Sequence, residues 1–137
     1  MREVTLSTLS ETLWAERRLL EMLRFRLEVH ELVLASGRLH ALAQAGRELS
    51  RTLDAVHTAD LGRAVDSDGA ATELGLAPGA SLGEITAAAP PPWSDMLQAH
   101  HHALTELVTD IRRLADRNQQ LLQDSAPAAG AERDDAR

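Results

Sequence analysis

"LSTLSETLWAERRLLEMLRFRLEVHELVLASG", residues 6–37, decides the fold of this chain. Leu6, Leu13, Leu20, Leu27 and Leu34 recur every seven residues, and Leu9 and Leu23 fill alternate positions between them. Leucine sustained at that spacing marks a single helix with a coiled-coil-like seam. The remaining seam positions hold Glu16 and His30, so polar groups interrupt it. Leu19, Met22, Phe25 and Leu32 widen the apolar face beyond what a two-stranded contact would cover. A helix over about 5–36 is roughly 45 Å long, and Gly37 supplies its stop.

The chain restarts at once, with Leu39, Leu42, Leu49, Leu53 and Val56 again at helical spacing. A short turn at 35–38 between two long amphipathic helices makes an antiparallel hairpin. The second helix, about 38–70, is expected to end or fray between 66 and 75, near Gly69 and Gly75. A linker over about 71–92 follows. Within it Ser81 and Glu84 have capping-box spacing and can start one short turn. Pro90, Pro91 and Pro92 then block continuation, because each lacks an N–H.

The last helix, about 93–123, carries two rows at sevens. One is Leu97, Leu104, Ile111 and Asn118; the other is Trp93, His100, Leu107, Leu114 and Leu121. Met96, Val108 and Leu122 flank them. The fold class read from these segments is all-α: a long antiparallel helical hairpin with a third long helix, a coiled-coil-like three-helix bundle. Residues 1–124 make a single helical domain, and the small, polar tail 125–137 is expected to be disordered.

Composition agrees. At 137 residues there is room for one core, and 44% hydrophobic with 26% charged residues suits an ordered soluble protein. Aromatics make up only 2%, too little ring volume for a compact sheet protein. There is no cysteine, which excludes disulfides and thiolate metal sites. The amino terminus lacks signal-peptide character, and no window has the roughly 18 apolar residues of a membrane span. A cytoplasmic location and no membrane insertion are expected. The net charge is −7 and the basic residues, all arginine, alternate with acids. Nucleic-acid binding, which needs a basic face, is therefore not expected.

"PPPWSDMLQAHHHA", residues 90–103, most resembles a chemical site. A helical metal pair needs two imidazoles three or four residues apart. His100, His101 and His102 are consecutive and point about 100° apart, so they cannot converge. His100 lies on the apolar stripe as a bundle residue, and His101 and His102 face solvent. Glutamates and arginines of the first helix alternate as on a solvated, ion-paired face. No nucleophile elbow, phosphate loop or dinucleotide fingerprint occurs. No enzyme activity, metal or cofactor is expected.

What remains is the wide apolar stripe of the last helix, which something must cover. It packs on the hairpin as a closed bundle, or part of it stays open to a partner helix. The long linker, where bundle connections usually run about 2–8 residues, favours an open part. Asn118, at a core-type position, either sets register or is solvated near the helix end.

Two runs carry a family resemblance. "LSETLWAERRLLEMLRFRLEVHELVLASGRLHAL", residues 9–42, resembles the first helix and turn of FlgN-type flagellar export chaperones, especially actinobacterial forms, through Leu13, Glu16, Leu19-Leu20-Glu21, Leu23 and the helix-breaking "ASGR". "LVTDIRRLADRNQQLL", residues 107–122, resembles that family's closing helix through Ile111, Leu114, Asn118 and Leu121-Leu122. The resemblance implies a cytosolic chaperone that binds unassembled hook–filament junction proteins, prevents their premature self-association and delivers them to the type III export gate. It implies client binding by Leu104, Leu107, Ile111, Leu114, Asn118, Leu121 and Leu122. It places the flagellar export apparatus among the partners and is compatible with a weak homodimer. The chain has no tyrosine, so any family contact through one is absent. The alternative is a self-associating coiled-coil structural adaptor, in which the same stripe is a homodimer seam.

Overall fold

The computed structural model describes residues 2–135, with side chains described over 4–124. Four helices follow in order: α1 (Arg2–Ser36), α2 (Leu39–Glu73), α3 (Leu82–Ala88) and α4 (Trp93–Asp135), with no strand among the described residues. The class is all-α, as the heptads require.

Side-chain pairs fix the directions. Thr12 reaches Asp66, Glu16 reaches Arg63 and Arg26 reaches Glu48, so α2 runs antiparallel to α1. Ser10 meets His100, Arg24 meets Asp110 and Glu31 meets Arg117, so α4 runs parallel to it. α1 is the shared spine: it packs on both α2 and α4, which make no close backbone approach to one another. The short α3 packs against α4 and, more lightly, against α2.

The core follows the inner leucine rows. Leu6, Leu9, Leu13, Leu20, Leu23 and Leu27 of α1 are buried, as are Ile85 of α3 and Leu97, Leu104, Leu107 and Leu114 of α4. From α2 come only Ala45, Val56, Ala70 and Ala71. Met22, Phe25 and Leu32, which the sequence attaches to the apolar face of α1, are exposed instead. They lie off the leucine rows, and Phe25 and Leu32 line the open groove beside α4 without being covered by it.

Local sequence explains the boundaries. Gly37, at φ 71°, takes the left-handed conformation that closes the hairpin. α2 ends in a Schellman arrangement, in which Leu76 N donates to Ala71 O, Gly75 N donates to Thr72 O and Gly75 has φ 76°. In the linker the capping box forms: Glu84 N donates to Ser81 Oγ at 3.1 Å and Ser81 N to Glu84 Oε1 at 3.4 Å. The linker thus holds a helix of seven residues where one short turn is expected. α4 continues to Asp135, past the expected end at 123 and into the segment read as a disordered tail. Alanines at 126, 128, 129 and 131 lend that stretch helical propensity. Its side chains lie outside those described.

Candidate functional site

The residues to place are those on the closing-helix stripe. Leu104, Leu107, Leu114 and Asn118 are buried, Ile111 and Leu121 are half-buried, and Leu122 is 45% exposed. The structure thus docks most of the stripe on α1 and opens it progressively toward its carboxy-terminal end. Register explains the gradient. Contacts between α1 and α4 join residues 83 to 91 apart, so α1, ending at Ser36, runs out opposite residues around 119–127. Beyond Leu114 no apolar residue of α4 is fully buried among the described residues.

Two buried polar bridges interrupt this contact. In the first, His100 is 2% exposed. Its Nε2 lies 3.2 Å from Ser10 Oγ and its Nδ1 lies 3.3 Å from Arg17 Nη1. Arg17 donates, so Nδ1 accepts and Nε2 carries the proton toward Ser10. The ring meets Trp14 edge-on at 4.9 Å, and the Arg17 guanidinium covers that indole at 4.2 Å. Burial, then the neighbouring Arg17 charge, pushes the His100 pKa below its ordinary value, which keeps the ring neutral.

The second bridge answers the question about Asn118. It is buried, with its Nδ2 donating to Leu27 O at 3.1 Å and to Leu114 O at 2.8 Å. Its Oδ1 accepts from His30 Nδ1 at 2.8 Å. This residue is a register pin, joined to the very histidine that interrupts the α1 seam. Sequence spacing marked both positions as polar intrusions but could not pair them.

The other intrusion, Glu16, faces α2. Its side chain is 4% exposed, and Arg63 Nε lies 3.0 Å from its Oε2, within ion-pair reach but without hydrogen-bond alignment. Burial, reinforced by a hydrogen bond with Asp60 and opposed by Arg63, raises this carboxyl from 4.5 to about 7.

The three histidines do diverge. His101 lies against Gly83 of α3, where a Cβ would approach its ring to 3.5 Å, and His102 pairs with Glu106 at 3.2 Å in solvent. Among the described residues no three metal-ligating side chains gather, and no helix is long and apolar enough to cross a membrane. An open groove of about 620 Å³ runs between α1 and α4, with Phe25, Leu32 and Leu114 among its lining residues. Charged side chains from both helices make up the rest of that lining. Such an arrangement suits a helix laid along it, not a small substrate.

Comparison with known proteins adds one finding. The family model described as "FlgN protein" matches residues 1–127. No curated protein and no solved structure matches the chain.

Proposed function

The chain belongs to the FlgN family of flagellar export chaperones, and from that premise we propose that its clients are unassembled hook–filament junction proteins. It holds a helical terminal segment of the client, stops premature self-association and hands the client to the export gate. This takes place in the cytoplasm. The role proposed is one of binding, with no chemical step in it.

The observation that carries this reading is the graded docking of α4. Its first two-thirds is held by Leu97, Leu104, Leu107 and Leu114, each contributing about 1.5–3 kcal/mol of burial. Beyond Leu114, where Leu121 is half-covered and Leu122 open, it is held mainly through Asn118. A client helix gains an apolar partner by pairing with Leu121, Leu122 and the uncovered side of Ile111, at the cost of parting only the weak end beyond Leu114 from α1. Leu104 and Leu107, which the family resemblance also nominates, then serve mainly to anchor the helix. A ligand displaces a docked segment only by its differential affinity for the open form. The low cost of opening at this end is what makes exchange feasible.

The test uses the full chain and purified hook–filament junction proteins of the same bacterium in calorimetric titrations. Leu122→Asp, at an exposed position, should leave the helix content unchanged and weaken the complex by roughly 10- to 100-fold. Wild-type chain that binds none of these proteins, or a Leu122→Asp chain that binds as wild type, contradicts the proposal.

A further inference from the structure

Two buried histidines fasten α4 to α1, and their hydrogen bonds answer acid in opposite ways. At His100, Arg17 Nη1 lies 3.3 Å from Nδ1 and Ser10 Oγ lies 3.2 Å from Nε2. A guanidinium only donates, so Nδ1 accepts and Nε2 carries the ring's one proton. A second proton has to go on Nδ1, where it sets N–H against N–H and cation against cation. At His30 the facing amide is oriented by Asn118 Nδ2, which donates to Leu27 O at 3.1 Å and to Leu114 O at 2.8 Å. Asn118 Oδ1 therefore points to His30, whose Nδ1 donates to it at 2.8 Å. A second proton on this ring goes on Nε2, outside the bridge, and Nδ1 donates as before.

We propose that these two bridges form a directional acid latch. Mild acid loosens α4 around 97–107, the part most firmly docked at neutral pH, and leaves the Asn118 bridge closed. The helix thereby has a second opening, at the opposite end from the one that Leu122 marks. This inference rests on the fold and not on the chaperone reading.

The surroundings of each ring support the difference. His100 is 2% exposed, and Arg17 is held beside it by stacking over Trp14 at 4.2 Å. No carboxylate forms an ion pair with Arg17 among the described residues, so its charge stands unneutralised next to the ring. The titratable groups around it are engaged elsewhere. His101 lies against Gly83, His102 pairs with Glu106, and Glu84 of α3 is taken by the Ser81 cap. α2 makes no close backbone approach to α4. Burial, then the Arg17 charge, accordingly hold the His100 pKa below its ordinary 6.5. The unfolded chain takes up this proton first as pH falls, so the latch is complete above pH 6.5 and weakens below it. Beside His30, Glu31 pairs with Arg117 across the same contact, and one turn earlier Arg26 pairs with Glu48 of α2. What faces the bridging nitrogen there is an amide oxygen, not a cation.

Hydrogen exchange of the full chain at about pH 7.5 and 5.5, read by mass spectrometry and corrected for the intrinsic pH dependence of exchange, tests the latch. Protection over 97–107 should fall by about three- to tenfold at the lower pH, while protection over 114–121 changes by less than about twofold. His100→Gln puts a neutral acceptor and donor in place of the ring and should remove the acid response. Arg17→Gln can turn an oxygen to the protonated ring and should shrink the response by about half or more. Circular dichroism checks the helix content of both variants; if one of them loses it, the wild-type profile and the other variant decide. Unchanged protection over 97–107, an equal fall along the whole of α4, or a folded His100→Gln chain as acid-sensitive as wild type overturns the proposal. So does a folded Arg17→Gln chain with the full response.

Discussion

Against α1, α2 sets Ala45, Val56, Ala70 and Ala71, whereas α4 sets Leu97, Leu104, Leu107 and Leu114 with His100 and Asn118 among them. α2 approaches closely with small side chains, is fastened at its edges by Arg26–Glu48 and Arg63–Glu16, and is tied to α1 by a turn of two residues. α4 is joined through α3 and residues 89–92, and depends on burial of large side chains. The hairpin is thus held by connectivity and many modest contacts. The closing helix is held by a few strong contacts concentrated in its first two-thirds. A helix of the second kind can be released in part, which is the property a partner-exchanging segment needs.

The contrast breaks first at the leucines. Leu104→Ala should cost about 2–4 kcal/mol, because little can collapse into the space left. Hydrogen exchange should show α4 amides opening while those of α1 and α2 stay protected. Val56→Ala, by comparison, should cost about 1–2 kcal/mol and produce no opening confined to one helix.

Next come the polar bridges. Asn118→Leu leaves the buried Nδ1 of His30 without its acceptor and should cost about 1–3 kcal/mol. Adding His30→Leu should recover most of that loss, since an apolar pair of similar shape needs no partner. The double variant holds α4 more tightly at its weak end and should bind client less well than wild type in the same titrations.

The hairpin side has its own pH signature. The folded state holds the Glu16 proton up to about pH 7, whereas the unfolded chain releases it near 4.5. The native state therefore binds more protons in that window, and stability falls as pH rises from 4.5 to 7. Urea titrations should show Glu16→Gln flattening that fall and stabilising the chain at pH 8, by on the order of 1–2 kcal/mol. His100 has the opposite sign. Its folded pKa is depressed below 6.5, so its contribution is complete above 6.5 and is lost as pH falls below it. Exchange of α4 amides should accelerate in mild acid, with α2 unaffected. The smallest stability effect belongs to Leu122→Ala, within about 0.5 kcal/mol, although client affinity should drop measurably.

Much of this was legible in the sequence. The inner leucine rows gave α1 its buried face, the glycine at 37 gave the hairpin, and Ser81 with Glu84 marked the start of α3. The seam positions of Glu16, His30, His100 and Asn118 were legible as interruptions. Their partners were not, because a heptad fixes which face a residue occupies but not which residue of another helix lies opposite. For the same reason Met22, Phe25 and Leu32 read as extensions of the buried face. Period alone does not reveal that a helix flanked on two sides still has a third. The shallow burial of α4 beyond Leu114 depends on where α1 stops relative to it, which is a matter of register and not of pattern.

Distances between α1 and α4 test most directly whether the weak end of the closing helix is where a client enters. The chain contains no cysteine, so spin-label pairs can be introduced cleanly at Ala35 with Gln120 and at Ala15 with Ala99. On adding a purified hook–filament junction protein, the Ala35–Gln120 distribution should lengthen and broaden while Ala15–Ala99 stays unchanged. A bound client that leaves both distances as they were, or that lengthens both alike, would contradict partial release of α4.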